Sequence, residues 1–234
     1  MPGRFLEVKD LHAWYGESHV LHGVNFHVDE GEVVTLLGRN GAGRTSTLRA
    51  ILGLTGSRKG SIKVHGQEVI ELATHRIARL GLGYCPEERG IFASLSAEEN
   101  LMLPPTLVAG GMSVEQIYAM FPNLRERAGS QGSRLSGGEQ QMLAVARILR
   151  TGARLLLLDE MSEGLAPVIV QKLAEMVMTL RQQGYTIVMV EQNFRFAAPL
   201  ADRFLVMEHG QVIQQFTQAE LPQRMDQLHE YLGV

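Results

Sequence analysis

The sequence predicts an α/β fold: a parallel sheet flanked by helices, with a β-rich first quarter and a mostly helical insert. Three observations carry this. The runs at residues 155–158 and 187–190 are short and wholly apolar, with a helical stripe between them, the pattern of parallel strands buried on both faces. Leu21, Val24, Phe26 and Val28 recur as in strands with one buried face. Helix formers dominate from about Glu87 to Arg150, interrupted by Pro104-Pro105 and Gly110-Gly111. With 234 residues, 45% of them hydrophobic, the chain can bury one large core.

In chain order, residues 5–8 read as a strand, followed by the apolar run 33–37 after Gly31. A glycine-rich stretch and a helix over 45–52 come next, then a strand at 61–65 ended by a turn at Gly66. Residues 131–134 read as a polar linker. Ser136 with Glu139 fits a capping box, opening a helix with the stripe Met142, Val145, Leu149. Pro167 suits a helix's first turn; its stripe is Ile169, Leu173, Met176, Val177 and Leu180, and Gly184 stops it. Residues 203–214 read as a hairpin turning at His209-Gly210. Leu221, Met225, Leu228 and Leu232 have helical spacing.

Composition narrows the function. Twenty-two Lys+Arg against 25 Asp+Glu give a net charge of −3, so there is no global basic field for nucleic acid. The single cysteine, Cys85, excludes an intrachain disulfide and a multi-cysteine metal site and fits a reducing compartment. Before Pro86 it reads as a small buried residue. The N-terminus lacks a signal-peptide pattern, and no window reaches the roughly 18 apolar residues of a membrane span. A protein soluble by itself is expected. The eight histidines suggest no metal cluster: His19 and His22 lie in a strand-like segment without a third ligand.

Gly38-Arg39-Asn40-Gly41-Ala42-Gly43-Arg44-Thr45 has the spacing of a phosphate loop, with an apolar strand before it and a helix after it. Such a loop turns backbone N–H groups inward, and the helix N-terminus adds partial positive charge. The Thr45 hydroxyl is placed to ligate Mg²⁺. Arg44 stands where lysine is usual; it keeps the charge but is longer, planar and forked. The same stretch also fits a glycine-rich turn that binds nothing.

Two further motifs weigh against that reading. Residues 155–158 end in Asp159 and Glu160, at the strand end where ligands sit in parallel sheets. Asp159 would hold Mg²⁺, and Glu160 would act as general base on water; alone, the pair also fits solvated acids at a strand exit. In LSGGEQQ, Ser136 and the free N–H groups of Gly137 and Gly138 would grip a phosphate. A plain N-cap explains Ser136 and Glu139 but not the glycine pair.

LSGGEQQ followed by LLLLDE resembles the signature and Walker B segments of ABC-transporter ATPases, over about Leu6 to Gln214. YGESHVLHGVNFHV, CPEERGIFASLSAEENL, GLAP and VEQN look like ATP-binding subunits of branched-chain amino-acid importers and their urea and amide relatives, the second ATPase subunit in particular. The resemblance implies a P-loop NTPase core, an N-terminal antiparallel β-subdomain and a helical signature subdomain. The whole chain would be one domain, its core at about 1–86 and 152–234 and its helical subdomain at about 87–151. It implies ATP and Mg²⁺ as ligands.

It also implies roles, position by position. Tyr15 stacks on adenine, with Trp14 as a neighbouring alternative. Gly38 to Thr45, with Ser46, cradle phosphates, and Thr45, Asp159 and Glu87 serve Mg²⁺. Glu87 stands where most relatives carry Gln, and Gln192 stands where a switch histidine is usual. Ser136, Gly137, Gly138 and Glu139 reach the ATP of a partner subunit in a head-to-tail dimer. Partners are a sister ATPase subunit, two membrane permease subunits and, indirectly, a solute-binding protein, with no nucleic acid. The place is peripheral, on the cytoplasmic side of the inner membrane. Near Glu87 to Leu101 the insert would receive the permease's coupling helix; internal packing equally suits Ile91, Phe92 and Leu95. Three departures put hydrolysis rate in question: Arg44, and Met161 and Glu163 in MSEGLAP where PSLGLAP is usual. The alternative function is therefore a nucleotide-binding regulatory subunit with little hydrolysis.

Overall fold

The computed structural model describes residues 3–232. In chain order the elements are β1 (Arg4–Tyr15), β2 (Ser18–Asp29), β3 (Val33–Leu37), α1 (Arg44–Ile51), β4 (Ser57–Val64), β5 (Gln67–Glu68), α2 (Thr74–Ala78) and β6 (Leu82–Cys85). The helical stretch holds α3 (Ala97–Met102), α4 (Val114–Met120), α5 (Pro122–Glu126) and α6 (Gly137–Arg150). The last third holds β7 (Leu155–Asp159), α7 (Pro167–Gln182), β8 (Thr186–Val190), α8 (Phe194–Ala197), β9 (Arg203–Glu208), β10 (Gln211–Thr217) and α9 (Leu221–Leu232).

Two sheets result. The first is antiparallel, in the order β2-β1-β4-β5. The second runs β10-β9-β3-β8-β7-β6, parallel throughout except for β10. Every residue of β3, β7 and β8 is buried, so alternate side chains feed two cores. Val33, Leu156, Leu158 and Ile187 point to the side of Met142 and Val145 of α6 and Leu173 and Val177 of α7. Val34, Leu155, Leu157 and Val188 point to the side of Leu48 and Ile51 of α1 and Leu6 and Leu21 of the antiparallel sheet. The second sheet is thus the shared wall, and its strand ends carry the site.

Local chemistry sets the boundaries. Ser136 and Glu139 form the predicted capping box of α6. Pro167 opens α7, and Gly184 follows its end at φ 78. His209 at φ 47 and Gly210 at φ 73 make the predicted β9–β10 turn, a conformation with both central residues left-handed. Glycine is required at 210 because a Cβ there would lie 2.3 Å from the Val20 carbonyl oxygen.

The structure corrects one boundary and adds elements. Residues 131–134 are not a free linker: Gly132–Arg134 forms a 3-10 turn, and Gln140 Nε2 donates to the Gly132 carbonyl at 3.0 Å. Ser96 also bridges to Gln131. Gln131, Ser133 and Arg134 keep their side chains exposed while the segment's backbone is hydrogen-bonded. Strand β6, which completes one edge of the main sheet, and the short α2 and α8 had no place in the sequence reading. Among the described residues, no helix is long and apolar enough to cross a membrane.

Leu157 lies wholly buried in β7, between β6 and β8. Leu157→Ala is expected to lower unfolding stability by ~2–5 kcal/mol, since the rigid sheet cannot collapse into the cavity. Urea denaturation of the two proteins checks this.

Candidate functional site

The site begins at the N-terminus of α1. Gly43, at φ 101, is its N-cap, and no side chain caps the helix. The first-turn amides of Arg44, Thr45 and Ser46 therefore lack partners of the kind Ser136 supplies to α6. They face a cleft of about 440 Å³ lined by Asn40 to Ser46, Val20, Glu87, Glu160 and Glu163. Gly38 serves packing instead: a Cβ there would lie 2.4 Å from the Met207 carbonyl oxygen of β9. Arg39 lines a separate hollow with His209 and Tyr231.

Arg44 is the central cation. Its side chain is only 4% exposed, and Nη2 donates to Glu160 Oε1 at 2.8 Å and to Asn40 Oδ1 at 3.2 Å. Its Nη1 is buried without a hydrogen-bond partner among the described residues. An orphaned guanidinium nitrogen beside uncapped helix amides fits an anion with several oxygens.

Asp159 ends β7, wholly buried. Its Oδ1 accepts from Thr45 Oγ1 at 2.9 Å, and its Oδ2 accepts from Tyr84 Oη at 2.9 Å. Burial raises its pKa, and the Thr45 and Tyr84 hydrogen bonds oppose that rise. Tyr84 is itself pushed up, by burial first and then by the Asp159 charge, so it stays a donor. The hydroxyl of Thr45 and the carboxylate of Asp159 are hard oxygen donors of the kind Mg²⁺ takes, and Glu87, which lines the cleft with Thr45, adds a second carboxylate.

Glu160 follows at φ 45, a left-handed conformation rare for a side-chain-bearing residue and held here by its N–H donating to the Val190 carbonyl at 2.9 Å. Carboxylate oxygens of Glu160, Glu163 and Glu87 lie within 4.8 Å of one another. Burial first, then a hydrogen bond with Glu163, raises the Glu160 pKa to about 7, against the pull of Arg44. A carboxyl poised near neutrality and open to the cleft is suited to accept a proton from water.

Gln192 is exposed and lines an adjoining depression of about 290 Å³ with Glu160, Ser162 and Glu163. Tyr15, at the end of β1, is 37% exposed, an available aromatic face. Ser136, Gly137, Gly138 and Glu139 do not line the cleft. Ser136 Oγ accepts from the Glu139 N–H, and Glu139 Oε2 accepts from the Ser136 N–H at 2.7 Å. The glycine pair has an explanation within the chain: a Cβ at Gly138 would lie 2.5 Å from Ile169 Cγ2, and one at Gly137 3.2 Å from Leu165 Cδ2.

Sequence reasoning missed Tyr84 and Glu191. Tyr84 sits in the four-residue strand β6, where Gly81 and Gly83 just before it hide the strand pattern. Glu191 is 2% exposed and accepts from Ser162 Oγ at 2.8 Å and from the Ser162 N–H. Burial lifts its pKa to about 7. Its adjacency to Gln192 was the available signal. Cys85 is buried as expected, its thiol pushed up to about 12 by burial, which removes it as a nucleophile.

The profile of a family described as ABC transporter matches residues 21–163. A high-affinity branched-chain amino acid transport ATP-binding protein, BraG of Pseudomonas aeruginosa, is 38% identical over 97% of this chain and 99% of its own length. A probable branched-chain amino acid transport ATP-binding protein, LivF of Archaeoglobus fulgidus, is 33% identical over 92% and 93%. The lipopolysaccharide export system ATP-binding protein LptB of Escherichia coli is 32% identical over 97% of both. Among solved structures, an ATP-binding subunit of an ABC transporter superposes with a TM-score of 0.80 at 28% identity, covering 98% of this chain and all of that one.

The Glu160 carboxyl is expected to titrate near 7 in the metal-free chain, followed by carboxyl ¹³C NMR. Glu163→Ser removes a contact that raises the pKa, so the midpoint moves down; Arg44→Ala removes one that lowers it, so the midpoint moves up. Because the folded value lies above the ordinary 4.5, ionising Glu160 costs stability as pH rises from 4.5 through 7.

Proposed function

We propose that this chain, which belongs to the ABC transporter ATPase family, is the ATP-binding subunit of an importer for branched-chain amino acids or related polar solutes. The observation that carries the solute class is end-to-end similarity to BraG, at 38% identity with 97% of this chain and 99% of that one aligned. The chain is an ATPase whose place is peripheral to membrane permease subunits. Its partners in this reading are a sister ATPase subunit in a head-to-tail dimer and two permease subunits, with a solute-binding protein acting through them.

In this reading Asn40 to Ser46 bind the phosphates through backbone N–H groups and Arg44, and Tyr15 stacks on the base. Thr45, Asp159 and Glu87 hold Mg²⁺, which supplies charge neutralisation at the phosphates. Tyr84 fixes the orientation of Asp159. Glu160 takes the proton of the attacking water, and Gln192 donates an amide hydrogen bond from the neighbouring depression. Ser136 and the first turn of α6 meet the nucleotide of the partner subunit.

The Arg44–Glu160 contact at 2.8 Å favours a second element of this reading, slow turnover. A general base tied to a guanidinium is less free to accept a proton, and the tie must be released before catalysis.

Mg²⁺-dependent ATP binding and phosphate release on the purified chain test both points. Glu160→Gln is expected to keep ATP bound while turnover falls ~10²-fold or more. Arg44→Lys is expected to raise turnover ~10-fold, as loss of a charge-assisted hydrogen bond to the base would allow. Unchanged turnover in Glu160→Gln would remove Glu160 from the mechanism.

The solute class is tested with the chain assembled with its permease subunits and binding protein in vesicles. Leucine, isoleucine or valine is expected to stimulate ATP hydrolysis and to accumulate inside. Stimulation by lipopolysaccharide without amino-acid uptake would replace the importer reading with an export role.

A further inference from the structure

Strands β1 and β2 carry a group of imidazoles that the nucleotide cleft does not use. It is built across the hairpin: His12 is the register partner of His22, and Trp14 that of His19. The register slips between Val8 and Leu11, and Asp10 stands in that bulge at φ 47. Glycines on both sides admit it. A Cβ at Gly60 would lie 2.2 Å from the Asp10 carbonyl oxygen, and one at Gly23 would lie 3.0 Å from Asp10 Oδ1 and 3.7 Å from His12 Nε2.

The bulge brings the Asp10 carboxylate onto His12, with Oδ1 3.2 Å from Nε2. An acceptor there holds the ring proton on Nε2 and leaves Nδ1 with a bare lone pair. That Nδ1 accepts a hydrogen bond from His19 Nε2–H at 3.1 Å, so the two nitrogens hold one proton between them. His22 packs edge-on against His19 with centroids 4.1 Å apart, and Trp14 stacks on the other side at 4.3 Å and 9°. Sequence spacing found only His19 and His22, because the bulge that brings in His12 leaves no trace in periodicity.

We propose that His12 Nδ1 and His19 Nε2 form a binding site for a transition-metal cation of the Zn²⁺, Ni²⁺ or Cu²⁺ class, with Asp10 as the outer partner of His12. Two imidazole nitrogens at Zn–N distances of about 2.0–2.1 Å are about 3.3 Å apart in tetrahedral and about 2.9 Å apart in right-angle coordination. The observed 3.1 Å falls between them, so the two nitrogens already have the spacing for a shared ion, which would take the place of the proton between them. A carboxylate behind a ligating histidine fixes its tautomer and raises its basicity. A bound ion would staple β1 to β2 within three residue pairs of the Tyr15–Ser18 end of the hairpin.

Trp14 is the single tryptophan of the chain and stacks on one ligand, so it reports binding directly. The tag-free chain is titrated with Zn²⁺ by calorimetry and with Ni²⁺ or Cu²⁺ by Trp14 fluorescence. The expected result is one ion per chain, with quenching reversed by chelator and no response to excess Mg²⁺. His12→Ala and His19→Ala are each expected to weaken binding at least ~10-fold, and Asp10→Asn ~10-fold. His75→Ala, on the exposed face of α2, leaves binding unchanged. His12→Gln and His19→Gln keep a polar side chain of similar reach, and their circular dichroism separates lost binding from lost folding. Wild-type affinity in folded His12 and His19 variants, or no saturable one-to-one isotherm, overturns the site.

Discussion

The Asp159 carboxylate is the constraint on which the site depends. It is wholly buried, and an ionised carboxylate without partners there would carry a heavy desolvation cost. Its two oxygens accept from Thr45 and Tyr84, the first turn of α1 and the strand β6. The end of β7, the start of α1 and the edge of the sheet must therefore meet at one point. With α1 pinned there, its uncapped amides open into the cleft, and Arg44, one residue earlier, is directed inward. The phosphate loop is held from behind by a second constraint, the close approach of Gly38 to the β9 backbone.

Beyond Asp159 the site is a problem of unbalanced charge. Three carboxylates converge within 4.8 Å, and one buried guanidinium faces them. The proton balance of Glu160 responds to that imbalance: burial and Glu163 favour its neutral form, and Arg44 opposes both. Glu163 is thus an active term in the electrostatics of the cleft. The positive φ of Glu160 aims its carboxyl at Arg44 and belongs to the same arrangement, since the Val190 carbonyl fixes the backbone that sets this direction.

Much of this was legible in the residues because it rests on local rules. The capping box at Ser136, the Pro167 start, the Gly184 stop and the His209-Gly210 turn each follow from backbone chemistry within a few positions. The apolar runs of β3, β7 and β8 announced strands buried on both faces. What escaped depends on distant partners. Tyr84 matters because Asp159 lies opposite it, 75 residues away, and its strand is too short and glycine-rich to show a period. Glu191 matters because Ser162 needs an acceptor. The glycine pair at 137–138 has a packing role visible only once α7 lies against α6. The segment 131–134 looked like a linker because its backbone partners, such as Gln140, belong to the next helix.

These contacts close a ring around the cleft. The segment after β6 carries Glu87 and then lies on α6: Arg89 Nη1 donates to Gln140 Oε1 at 2.9 Å, Arg147 Nη1 donates to the Gly90 carbonyl at 2.5 Å, and the Arg147 guanidinium sits 5.2 Å from the Phe92 ring centre. Helix α6 is joined to the N-terminal part of α7 through the space that Gly138 leaves for Ile169. The loop that enters α7 carries Glu160, Glu163 and Ser162, and Glu191 holds Ser162 to the end of β8. Glu163 and Glu160 then face Glu87 across the cleft, where the ring began. The segment that follows Glu87, the start of α6 and the loop that positions Glu160 are therefore joined by direct contacts. The charged mouth of the cleft and the capped start of α6 are thus linked through contacts within a single chain.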